Sequence, residues 1–91
     1  MANVVVTMKI MPKDPSTDLK KIENEASEKI KNFGGNVGKV DIIPIAFGLQ
    51  SVNIIFIMDE NKGSTDELEN QISAIEGVNS AEVSDVRRTI G

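Results

Sequence analysis

Hydrophobic positions along the chain switch between two periods. Over residues 4–11, Val4, Val6, Met8 and Ile10 alternate with Val5, Thr7, Lys9 and Met11, which predicts a strand with one strongly apolar face. Pro12 and Pro15 then stop it, in a loop whose polar residues suit entry into a helix. From Asp18 the period changes. Leu19, Ile22, Ala26 and Ile30 fall on one helical face, and Lys20, Lys21, Glu23, Glu25, Glu28, Lys29 and Lys31 occupy the rest. Gly34-Gly35 and Gly38 are expected to end this helix and turn the chain. A second strand is predicted over 39–43, closed by Pro44, and a third over the long apolar run 49–58. The tight connection between them predicts an antiparallel pair. After the polar turn 59–63, Ser64 stands three residues before Glu67, the spacing of a capping box. The helix it opens carries Leu68, Ile72 and Ile75 on one face. Gly77 closes it, and 78–86 forms a last strand with Ala81 and Val83 facing inward.

Strand, helix, strand, strand, helix, strand is the order of a ferredoxin-like α+β sandwich: a βαββαβ chain with a four-stranded antiparallel sheet and two helices on one face. The right-handed crossover rule leaves few other arrangements for two βαβ units in one sheet. The expected unit is a single domain over residues 1–91. If Val52, Ile54, Phe56 and Met58 face the helices, then Ser51, Asn53, Ile55 and Ile57 face outward with Val5, Thr7, Lys9 and Met11. This second face is either a partner-binding patch or an ordinary β surface.

Composition narrows the chemistry. The 91 residues include no Cys and no His, which removes thiolate nucleophiles, imidazole catalysis and Cys/His metal sites. Ten Lys and Arg against fourteen Asp and Glu give a net charge of −4, unfavourable for binding polyanions, so no direct nucleic-acid contact is expected. Phe33, Phe47 and Phe56 are the only aromatics, too few for a base-stacking platform. No apolar run approaches the roughly 20 residues of a membrane span. Met1-Ala2-Asn3-Val4 lacks the basic start of a signal peptide, and the expected location is cytoplasmic. No cofactor or metal is called for.

The candidate sites are few. Gly34-Gly35-Asn36-Val37-Gly38-Lys39-Val40 fails as a phosphate loop: Phe33 stands where the first Gly belongs, and Val40 replaces the hydroxyl that would hold magnesium. The acidic residues Asp59-Glu60 and Asp66-Glu67 lack calcium-loop spacing and read as a turn and a helix start. Pro44-Ile45-Ala46-Phe47-Gly48-Leu49 is more informative, because a large apolar side chain sits between Pro and Gly at a strand connection. Either the domain's own edge or another protein should cover it, and sequence physics favours self-packing. Arg87 and Arg88, the chain's only arginines, lie at the end of the last strand. They suit either a carboxylate or phosphate or an edge guarded against aggregation.

These last two segments, together with Val4-Val5-Val6-Thr7-Met8-Lys9-Ile10-Met11-Pro12, Gly63-Ser64-Thr65-Asp66, Ile75-Glu76-Gly77-Val78 and Val83-Ser84-Asp85-Val86-Arg87-Arg88, carry a resemblance. Over essentially its whole length the chain resembles the archaeal elongation factor 1-beta family, guanine nucleotide exchange factors for elongation factor 1-alpha. That GTPase delivers aminoacyl-tRNA during translation. The resemblance implies a non-enzymatic, cytoplasmic partner of the GTPase in its GDP-bound and nucleotide-free states, without covalent chemistry. It assigns Pro44, Ile45, Ala46, Phe47 and Gly48 to the loop pressed against the GTPase. Eukaryotic relatives carry a Lys near the C-terminus that intrudes toward the partner's magnesium and phosphate site. The matching position here is Arg88, with Arg87 beside it, and Arg keeps the charge in a wider, forked form. The competing expectation is a ferredoxin-like small-ligand-binding or assembly module acting through Ile55 and Ile57 on the open sheet face.

Overall fold

A computed structural model describes residues 3–62 and 64–88. Strands β1 (Asn3–Pro12), β2 (Asn36–Pro44), β3 (Gln50–Asp59) and β4 (Val78–Arg88) alternate with helices α1 (Leu19–Phe33) and α2 (Asp66–Ser73) in the expected βαββαβ order. They form one four-stranded sheet in the order β2-β3-β1-β4, antiparallel at each seam. This is the ferredoxin-like α+β arrangement, with both edges formed by strands adjacent to only one neighbour.

The period-2 pattern of the central pair sets the core. Val6 stands opposite Phe56, Met8 opposite Ile54 and Ile10 opposite Val52. These side chains are buried against Ile22, Ala26 and Ile30 of α1 and Leu68 and Ile72 of α2. Ala81 and Val83 pack against this cluster from β4, as their spacing predicts. Ile75 lies past the end of α2 and is still buried, because its N–H bonds Ile72 O at 3.1 Å and continues the turn inward.

Side-chain and glycine caps place the helix ends. Asp18 accepts from the N–H groups of Lys20 and Lys21 at 3.1 and 3.2 Å and caps α1. At the other end Gly34 adopts φ 108°, and the N–H groups of Gly34 and Gly35 bond Lys31 O and Ile30 O, a Schellman closure. Three expectations are corrected. Gly38 does not turn the chain; it sits inside β2 as the extra residue of a bulge, between Val37 opposite Phe56 and Lys39 opposite Ile55. Pro12 does not stop the first strand but belongs to it, opposite Val78, at a register shift. The Ser64–Glu67 capping box does not form, because α2 starts at Asp66. Thr65 holds the cap position, and Ser64 Oγ accepts from Asp66 N–H at 3.1 Å instead.

The loop before α1 is organised by Asp14, whose Oδ1 accepts from Ser16 N–H at 2.9 Å and Ser16 Oγ at 2.7 Å. These bonds, the Ser16 hydroxyl first, hold its carboxyl below the usual Asp value of 3.8. A depressed folded pKa means that this contribution to stability is present above the unfolded value and lost as pH falls through the folded one. In Ser16→Ala the Asp14 carboxyl carbon should titrate at higher pH by NMR, toward the ordinary Asp value. One residue past the left-handed Gly34, a Cβ on Gly35 would stand 2.9 Å from Ile30 Cγ2 and 3.0 Å from Phe56 Cδ2. Gly35→Ala should therefore cost about 1–3 kcal/mol through overpacking, measured by urea unfolding.

Candidate functional site

The β2–β3 connection is a tight hairpin. Ile45 N–H donates to Leu49 O at 2.7 Å, and Leu49 N–H donates to Ala46 O at 3.2 Å. The two residues enclosed by the second bond both carry positive φ, Phe47 at 61° and Gly48 at 77°. That is the requirement of a type I′ turn, for which Asn-Gly is the favoured pair. Gly48 meets it without cost. Phe47 is the one residue other than glycine with positive φ among the described residues. A non-glycine side chain held there costs on the order of 1–3 kcal/mol.

Nothing in the domain offsets this cost, since Phe47 is 95% exposed. The expectation that the domain's own edge covers Phe47 is therefore corrected. The turn carries it past the last rung of the sheet at Pro44 and Gln50. The neighbouring loop comes near Gly48, where a Cβ would lie 3.8 Å from Pro15. Pro44, Ile45, Ala46 and Gly48 share this exposed tip. An apolar ring in a conformation disfavoured for it, standing in water, is explained by neither folding nor local propensity.

Arg87 and Arg88 occupy the other end of the sheet, and on opposite faces. Arg88 pairs with Val4 and so shares the helix side, while Arg87 pairs with Val5 and points to the open side. A bulge decides which is which. Thr7 stands opposite Asp85 and Met8 opposite Val83, leaving Ser84 as the extra residue. Its hydroxyl donates to Thr7 O at 3.3 Å, and the Val83 N–H is taken by Glu69 Oε2 of α2 at 2.7 Å. Two neighbouring guanidiniums on a strand do not form one fork. Each has its own carboxylate: Arg88 Nε and Nη2 donate to Glu60 Oε2 at 2.9 and 2.5 Å, and Arg87 Nε donates to Asp85 Oδ2 at 2.9 Å. Both pairs are exposed, so a competing anion would displace them at small cost. Beside Arg88, the short α2 leaves an open depression of about 300 Å³ over Val4, Met58 and Val86.

The sites are far apart. Gln50 adjoins the Phe47 turn and Met58 lies level with Arg88 through Val4. Eight strand steps of ~3.3 Å put these levels about 26 Å apart. On the open face, Ser51 and Asn53 are buried and bonded to each other at 2.8 Å, Ile55 is half-buried and Ile57 is 39% exposed. That face is therefore polar and buried toward the hairpin end and apolar toward the other, at Ile55 and Ile57. Among the described residues no group of three or more acidic side chains is placed to hold a metal ion, and no helix is long and apolar enough to cross a membrane.

Residues 5–89 match the EF-1 guanine nucleotide exchange domain. The chain belongs to this family. It is 42% identical over 88 residues to elongation factor 1-beta of Methanothermobacter thermautotrophicus, covering 97% of this chain and 98% of that protein. It is 38% identical over 78 residues to elongation factor 1-beta of Thermoplasma acidophilum, covering 86% and 88%. The fold alone is shared with the C-terminal domain of the MgtC protein from Mycobacterium tuberculosis, at TM-score 0.61 and 11% identity over 98% of this chain and 88% of that one. Within this exchange domain, sequence reasoning singled out the Phe47 tip and both arginines but missed Glu60 as the partner of Arg88. The readable signal was the strand order, which brings the end of β3 beside the start of β1 and the end of β4. Of the resembling segments, Gly63 lies outside the described residues.

Because Phe47 is strained and makes no use of its ring at home, Phe47→Asn should stabilise the isolated domain by on the order of 1 kcal/mol. A rise in the urea midpoint at unchanged slope would show it, and a fall would mean that the ring packs in solution.

Proposed function

We propose that this exchange domain promotes replacement of GDP by GTP on the GTPase that delivers aminoacyl-tRNA during translation elongation, by binding its nucleotide-free state more tightly than its GDP-bound state. Family membership supports a nucleotide-exchange role in elongation. The observation that carries the finer reading is Phe47, strained and 95% exposed at a rigid hairpin tip.

Linkage supplies the mechanism. A protein that prefers the nucleotide-free GTPase must weaken nucleotide binding by the same factor, because the cycle closes. No bond is made or broken, so no acid, base or nucleophile is required of a chain that has neither His nor Cys. Phe47 would be an apolar wedge whose entry into a partner pocket removes the whole ring from water, worth about 1.5–3 kcal/mol. Arg88 would act at the far end as a positive charge directed at the metal or phosphate region, exchanging Glu60 for an anion of the partner. With the two levels about 26 Å apart, the contact has to be two-pointed and long. The domain, 42 Å along its longest axis, would lie lengthwise on the GTPase. Such a role belongs in the cytoplasm. The competing small-ligand reading through Ile55 and Ile57 rests on one half-buried and one exposed side chain of the open face.

Release of fluorescent GDP from the cognate elongation GTPase should be strongly accelerated by the wild-type domain and lost at least tenfold in Phe47→Ala. Because the arginines face opposite sides, Arg88→Ala should slow exchange roughly tenfold, about 1.4 kcal/mol, while Arg87→Ala should change it little. No acceleration by the wild type would refute exchange, and equal losses at Arg87 and Arg88 would refute the one-sided contact.

A further inference from the structure

The two edges of the sheet are unlike. β4 presents Asn79, Ser80, Glu82, Ser84, Asp85 and Arg87, the polar guard expected of an unpaired edge. β2 does not. Of the seven large apolar side chains that stand exposed among the described residues, Val37, Ile42 and Ile43 lie on β2 and Ile45 and Phe47 on the hairpin just beyond it. A nine-residue, apolar, unpaired edge is a template for another strand.

The hairpin bond from Ile45 to Leu49 reveals which backbone groups that edge offers. Hydrogen-bonded pairs alternate along an antiparallel ladder, so Ile43, Asp41 and Lys39 turn their N–H and C=O toward β3. Val40 and Ile42 therefore turn theirs outward. The outer groups of β2 thus suit an antiparallel partner centred on Val40.

The charges on this edge are self-complementary. Lys39 and Asp41 share the open face, 3.8 Å apart and both solvent-accessible, a weak pair within one strand. Two copies of β2 paired antiparallel about Val40 would set Lys39 of each opposite Asp41 of the other, twice, in the non-hydrogen-bonded positions where side chains come closest. Val40 would meet Val40, and Ile42 of each copy would lie beside the Gly38 bulge of the other, which brings no side chain. A two-residue shift either way instead sets Lys39 against Lys39 or Asp41 against Asp41. One register is favoured and its neighbours are opposed.

We propose that the exposed edge strand β2 is a homodimerisation surface, pairing two copies of this chain antiparallel through Val40 in the register held by reciprocal Lys39–Asp41 ion pairs. The sheets would join into one, with helices on the same side. The regular pairing reaches only to the Gly38 bulge of each copy, opposite Ile42, so each Phe47 turn projects beyond it and stays available.

The test is independent of exchange activity: sedimentation equilibrium of the full chain over a wide concentration range, with two charge variants. Wild type should show reversible monomer–dimer association. Lys39→Asp and Asp41→Lys should each associate about tenfold more weakly, because two attractions become two repulsions. An equimolar mixture of the two variants should regain wild-type association, since both cross-strand pairs are then opposite in sign. Amide exchange should show Val40 and Ile42 protected as the dimer fills. A monomer at every concentration would overturn the proposal, as would a dimer indifferent to both variants or not restored by mixing. Protection of Val40 and Ile42 only on adding the elongation GTPase would assign the edge to that partner and equally overturn it.

Discussion

The register between β1 and β3 is the constraint on which the rest of the domain depends. Val6, Met8 and Ile10 meet Phe56, Ile54 and Val52 on one face, beneath both helices. A slip of one residue would send these side chains to the wrong side, so the apolar face specifies the pairing strongly. Once that pairing is set, the hairpin after β2 must emerge at one end of the sheet and the end of β4 at the other. The distance between Phe47 and Arg88 is thus a by-product of core packing.

The two ends differ in physical character. The hairpin tip is apolar and conformationally strained, its main chain held by two backbone bonds. The Arg end is charged and loosely paired, with guanidinium and carboxylate both reachable by solvent. The first suits binding by desolvation, which is insensitive to salt. The second suits long-range attraction and easy exchange of partners, which salt screens. A contact built from one of each would form quickly at the charged end and persist at the apolar one.

Much of the fold was legible in the sequence because period and punctuation agree along most of the chain. Alternation over residues 4–11, the helical face of Ile22, Ala26 and Ile30, and the glycines after Phe33 all indicate the same architecture. What escaped was set by single residues acting across strands. Whether Gly38 turns the chain or bulges a strand depends on its pairing with β3, which no local pattern contains. The Ser64–Glu67 spacing is correct for a capping box, but the helix starts too late to use it. Phe47 was recognisable as anomalous, yet its exposure follows from a turn tighter than composition reveals. The separation of Arg87 from Arg88 follows from strand geometry, but the face each takes does not, because Ser84 had to be counted as an extra residue.

That bulge gives β4 an unequal response to changes in length. Edge strands are ordinarily where a chain accepts insertions and deletions, since little is packed against them. Here the identity of the residue that reaches the helix side at the far end depends on the parity of the residue count from Val83 onward. Losing Ser84 would remove the bulge and keep every later face, because Val86, Arg87 and Arg88 would still stand opposite Val6, Val5 and Val4. Gaining one residue there without a second bulge would instead move Val86 out of the helix side and exchange the faces of both arginines, while leaving composition and hydropathy almost unchanged. The strand should therefore tolerate shortening by one residue better than lengthening by one.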